Sequence, residues 1–169
     1  MKLFIIGLPG SGKSTLGKKL GTRLNLPFLD LDERIEADAE QPIRAIFANE
    51  GEAAFRNLER DALYQTIDEC DHFILATGGG APCFFDNMEV MNRTGTTLFL
   101  DVPIPTIITR MHGLQITDRP LLQGLNQNQM LKEYTDKFEK RLPVYRQAQI
   151  TISHNASEEE IVAQLYTKN

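Results

Sequence analysis

Residues 7–15 read GLPGSGKST, a G-x-x-x-x-G-K-S spacing set between an apolar run and a helical one. No other stretch constrains the fold of this chain as tightly. The run before it, KLFIIG (Lys2 to Gly7), is short, apolar and β-prone, as expected of a strand buried on both faces. The run after it places Leu16, Leu20 and Leu24 at four-residue spacing, which makes one stripe of a helix. Gly7, Gly10 and Gly12 let the backbone turn tightly and approach an anion with no Cβ in the way. The amides of Gly10, Ser11, Gly12, Lys13, Ser14 and Thr15, with the start of the helix, then point at phosphate oxygens. Lys13 is placed to reach β- and γ-phosphates, and Ser14 to offer its hydroxyl to Mg²⁺. The expectation is a chain that binds ATP or GTP.

At 169 residues, one domain over residues 1–169 is expected, long enough to bury a real core. A net charge of −5 argues against a nucleic-acid partner, which needs a basic face. Cys70 and Cys83 form no metal or redox spacing, so reduced thiols in the cytoplasm are expected. The opening MKLFIIGL ends at Pro9-Gly10, too short for the apolar core of a signal peptide. No run approaches membrane-spanning length, so no membrane partner is expected.

Further strands are expected at FLDL (Phe28 to Leu31), FILAT (Phe73 to Thr77), TLFLD (Thr97 to Asp101) and QITIS (Gln149 to Ser153). A long helical region runs from about Glu33 to Cys70, interrupted near Gly51. Ser157 and Glu160 make a capping box at the start of the last helix. Strands alternating with helices imply an α/β fold, a parallel sheet covered on both faces. His112 to Gln127 carries little periodicity and is expected to form a lid loop.

Ligands of such sheets collect outside the carboxyl ends of the strands. The second strand ends in Asp30-Leu31-Asp32, two carboxylates on one side of an extended backbone. One can help hold hydrated Mg²⁺ while the other takes a substrate hydroxyl; alternatively Asp32 caps a helix starting at Glu33. Gly78, Gly79 and Gly80 after the third strand suit close backbone approach to a ligand, or a plain turn. Asp101 is expected to start the next helix. Arg56 and Glu59 lie three apart on a helix, where a surface ion pair is the commoner outcome. Arg119 falls in the lid and can act on transferring phosphate from within the chain. Arg141 precedes Pro143, a residue that disfavours helix before it, and arginine grips carboxylates bidentately. The histidines His72, His112 and His154 are scattered and make no metal set.

In order along the chain, GLPGSGKST, DLD, AFRNLE, TGGG, RPLL and RLPVY together resemble shikimate kinase over essentially the whole length. The resemblance implies a nucleoside-monophosphate-kinase-like fold with a five-stranded parallel sheet. It implies transfer of the γ-phosphoryl group of ATP to the 3-hydroxyl of shikimate, in aromatic amino-acid biosynthesis, by a protein expected to be a monomer. On this chain it assigns phosphate binding to Lys13 and the Gly10–Thr15 amides, Mg²⁺ to Ser14 directly, and Mg²⁺ to Asp30 through water. Asp32 becomes the acceptor for shikimate hydroxyls and the candidate base. Arg56 and Arg141 clamp the carboxylate, Glu59 holds Arg56, and Gly78, Gly79 and Gly80 form the pocket wall. Arg119 closes over the phosphates and Arg110 lies against the adenine. Two other readings stay open: another small kinase acting on gluconate or a nucleoside monophosphate, and a domain that binds nucleotide without turnover.

Overall fold

The computed structural model describes residues 1–112 and 127–167. Strand β1 (Lys2–Ile6) leads through the glycine-rich loop into α1 (Lys13–Leu24), and β2 (Phe28–Asp30) follows. Three helices come next, α2 (Leu31–Ala39), α3 (Ile43–Asn49) and α4 (Gly51–Glu69). Then come β3 (Phe73–Ala76), a 3₁₀ turn (Ala81–Cys83), α5 (Asn87–Thr94), β4 (Thr96–Asp101) and α6 (Ile104–His112). The described chain closes with α7 (Gln127–Tyr145), β5 (Ile150–Ser153) and α8 (Glu158–Thr167).

The strands form one parallel sheet in the order β2-β3-β1-β4-β5. Central β1, β3 and β4 are buried almost throughout, which explains why they read as unbroken apolar runs. Edge strand β5 alternates buried and exposed residues. Phe4 and Phe73 meet edge to face at the middle of the sheet. Chain order reverses at β1: the chain passes to β2 and β3 on one side of it, then crosses to β4 on the other. A crevice therefore opens beyond the carboxyl end of β1, where the glycine-rich loop lies. Among the described residues, no helix is long and apolar enough to cross a membrane.

Several local expectations are corrected. Leu31 belongs to α2 and not to the strand, because the Asp30 side chain caps that helix by accepting from the Asp32 amide. The helical region breaks twice. Glu40 takes a left-handed conformation and Pro42 precedes Ile43, while Gly51, with φ 83°, allows the second break. Asp101 ends β4 and is exposed; α6 begins only at Ile104. Helix α7 runs through Pro143 in its last turn, where the proline cannot donate to the Glu139 carbonyl one turn back. The capping box is present in both directions: Glu160 N–H donates to Ser157 Oγ at 3.2 Å, and Ser157 N–H donates to Glu160 Oε2 at 2.7 Å. The expected lid lies outside the described residues apart from its ends, since α6 reaches His112 and α7 starts at Gln127.

Candidate active site

The loop after β1 supplies the first wall. Gly10 and Gly12 have φ of 79° and 100°, conformations that favour glycine. Gly12 occupies the N-cap of α1 and offers no side-chain oxygen, so the first-turn amides remain open to an anion. Lys13 is buried and folds back on the loop, its Nζ donating to the Leu8 carbonyl at 2.8 Å and the Gly7 carbonyl at 3.1 Å. Arg110 reaches across from α6 and donates to the Ser11 carbonyl at 3.1 Å, so it braces this loop. Arg119 lies outside the described residues.

Ser14 and Asp30 meet directly. The serine hydroxyl donates to Asp30 Oδ2 at 2.6 Å, while Oδ1 caps α2. Among the described residues no group of three or more metal-binding side chains assembles. A hydroxyl beside one carboxylate, next to a phosphate cradle, nevertheless fits Mg²⁺, which keeps several waters and takes substrate phosphate oxygens.

Asp32 is exposed in the first turn of α2, two residues beyond the strand, and not on an extended backbone as the spacing suggested. It lines a cleft of about 1970 Å³ together with Gly10–Thr15, Asp30, Gly78, Gly79 and Arg110. Arg56, Gly80 and Arg141 do not line it; Gly80 follows the lining residue Gly79 and abuts the Arg56 guanidinium.

The Arg56–Glu59 pair on α4 is no surface ion pair. Arg56 is 9% exposed and Glu59 1% exposed, and the guanidinium Nη1 donates to Glu59 Oε2 at 2.7 Å. Glu52 accepts from Arg56 Nη2 at 3.0 Å, and the Phe84 ring lies 4.2 Å from the guanidinium carbon. Burial pushes the Glu59 carboxyl above its ordinary value, while Arg56 pulls it back down. Its other oxygen, Oε1, is buried with no hydrogen-bond partner among the described residues.

The glycine triplet is explained by space. A Cβ on Gly78 would come within 2.6 Å of Glu59 Oε1 and 3.0 Å of Asp32 Oδ1. One on Gly79 would meet Pro9 Cδ at 2.5 Å, and one on Gly80 the Arg56 guanidinium at 2.7 Å. The triplet thus lets a carboxylate, a buried ion pair and the phosphate loop converge on one turn.

Arg141, on α7, pulls the Glu59, Cys83 and Tyr145 groups down against the upward push of their burial. Tyr145, one helical turn on, is fully buried and donates its hydroxyl to the Gly79 carbonyl at 2.5 Å. Burial pushes the Tyr145 hydroxyl well above its ordinary pKa, so it stays a donor across the working pH range. Sequence reasoning gave no role to Tyr145, Phe84, Glu52 or Pro9. The RLPVY motif was the available signal for Tyr145; nothing local marked the other three.

Known proteins share this sequence pattern and this fold. The shikimate kinase family model matches residues 9–168. The chain is 45% identical to the shikimate kinase of Bacteroides fragilis over 148 residues, 88% of this chain and 82% of that one. The crystal structure of shikimate kinase from Bacteroides thetaiotaomicron superposes with a TM-score of 0.87 at 38% identity, covering 99% of this chain and 96% of that one. Shikimate kinase from Acinetobacter baumannii, solved in complex with shikimate, gives a TM-score of 0.84 at 32% identity, with 99% of this chain and 90% of that one covered. The chain belongs to the shikimate kinase family.

Proposed function

We propose that this site transfers the γ-phosphoryl group of ATP to the 3-hydroxyl of shikimate. One observation carries the reading. Beside a phosphate loop, a single glycine turn gathers an exposed carboxylate, Asp32, and a guanidinium, Arg56, that a buried glutamate holds in place. A carboxylated polyol needs that combination: a guanidinium fork for its carboxylate and an acceptor for its hydroxyls.

In this reading the first-turn amides of α1 and Lys13 hold the β- and γ-phosphates, Lys13 exchanging its loop carbonyls for phosphate oxygens, while the Ser11 amide donates to the Leu8 carbonyl at 3.2 Å. Arg56 and Arg141 grip the shikimate carboxylate and fix the ring. Asp32 accepts the hydrogen bond of the 3-hydroxyl and orients its oxygen toward the γ-phosphorus. As the new P–O bond forms and the bond to ADP breaks, the hydroxyl proton passes to the Asp32 carboxylate. Ser14 and Asp30 are the residues that would hold Mg²⁺, the aspartate through water. Bound there, Mg²⁺ supplies neutralisation of charge on the phosphate oxygens. The role of Arg119 in charge stabilisation rests on its motif. Arg110, already on the Ser11 carbonyl, is assigned to the nucleotide side of the loop. The reading includes one domain over residues 1–169, working as a monomer in the cytoplasm, where free Cys70 and Cys83 remain thiols.

The test is titration calorimetry of shikimate against its methyl ester, which keeps the hydroxyls and loses the carboxylate charge. Each charged hydrogen bond contributes about 1.5–3 kcal/mol, so two arginines predict at least a roughly hundredfold weaker ester. Equal affinity for acid and ester would remove the carboxylate clamp from the account.

A further inference from the structure

We infer that Tyr145 is a positioning residue for the acceptor, tying the helix that carries Arg141 to the glycine turn that seats Arg56 and Asp32. The inference rests on the shikimate reading of the site. Tyr145 is 0% exposed, and its ring lies 5.1 Å from Phe99 on β4, so the hydroxyl is delivered from a fixed point in the core. That hydroxyl donates to the Gly79 carbonyl at 2.5 Å. A peptide unit is planar, so holding the Gly79 carbonyl also sets the plane shared with Gly80.

Both neighbours of that plane belong to the site. Gly80 abuts the Arg56 guanidinium so closely that a Cβ there would lie 2.7–2.8 Å from three of its atoms. Gly79 abuts Pro9 of the phosphate loop with comparable tightness. Arg141 sits one turn before Tyr145 on α7, and its charge acts on both Tyr145 and Glu59. The hydroxyl therefore fixes the spacing between the two arginines, one on α4 and one on α7. Glycine supplies no side chain to hold its own peptide plane, and this hydrogen bond replaces that missing restraint.

The experiment is Tyr145→Phe, which keeps the buried ring and removes only the hydroxyl. Steady-state kinetics are run with each substrate varied, alongside calorimetric binding of shikimate without nucleotide. Shikimate KM and Kd are expected to rise about five- to tenfold, the size of one lost hydrogen bond. The KM for ATP is expected to stay within about twofold of wild type, a split that a general loss of packing does not produce. Unchanged shikimate KM and Kd would overturn the inference, as would equal losses for both substrates. Wild-type enzyme measured in parallel separates the two claims: if it binds no shikimate, the functional reading fails and the inference falls with it, whereas failure of Tyr145→Phe alone overturns only the inference.

Discussion

Arg56→Ala is expected to raise the shikimate KM about hundredfold or more, because two charge-assisted hydrogen bonds of about 1.5–3 kcal/mol each leave with the guanidinium. The KM for ATP should change little, since Arg56 contacts α4 and the glycine turn and makes no contact with the phosphate loop among its described partners. The same substitution strands Glu59, which is 1% exposed and already has one oxygen without a partner among the described residues. An uncompensated buried charge costs about 3–5 kcal/mol. For a chain of this size that corresponds to a fall in Tm of roughly 6–20 °C. The two effects separate in the double variant Arg56→Ala with Glu59→Gln. Removing the second charge should restore most of the Tm and none of the shikimate affinity. Recovery of affinity together with Tm would mean that Arg56 serves only the fold.

Lys13→Met is expected to lower kcat by about 10²–10³-fold, the usual consequence of removing one donor aimed at charge that develops in the transition state. Methionine keeps most of the buried stem, so the apolar contacts of α1 survive. The ammonium is lost, and with it the two bonds that close the loop on the Gly7 and Leu8 carbonyls. ATP binding should weaken, while shikimate binding without nucleotide, measured by calorimetry, stays near the wild-type value. A drop in shikimate affinity equal to the drop in kcat would show that the loop's conformation, and not the lysine's charge, carries the effect.

How much of this was legible in the sequence depended on whether the cause was local. The runs KLFII, FILA and TTLFLD show themselves because parallel strands are buried on both faces and so read as continuous apolar stretches. The phosphate loop shows itself because its glycines, lysine and serine act within one turn. Leu31 misled: an apolar residue after Phe-Leu-Asp extends a strand pattern, and only the Asp30 side chain, turned onto the Asp32 amide, reveals the helix start. Pro42 carried a break signal that the longer helical pattern obscured.

Arg56 and Glu59 were visible as a pair at helical spacing, but their burial was not. It is created by Gly78, Gly80 and Phe84, which arrive from the far side of β3. The RLPVY motif marked Tyr145 but not its role, since its partner Gly79 is distant in sequence and near only after the sheet has formed. The triplet Gly78-Gly79-Gly80 was readable as close approach. What it approaches, Glu59, Asp32, Pro9 and Arg56, required the fold.

The most direct measurement is ADP release from MgATP with shikimate, gluconate, AMP or CMP offered singly as acceptor. The account predicts turnover with shikimate and background rates with the other three. Turnover with gluconate or a nucleoside monophosphate in place of shikimate would contradict it, leaving the phosphate loop intact and reassigning Asp32, Arg56 and Arg141. ATP binding with no turnover on any acceptor would contradict it as well, and would make the domain a nucleotide binder.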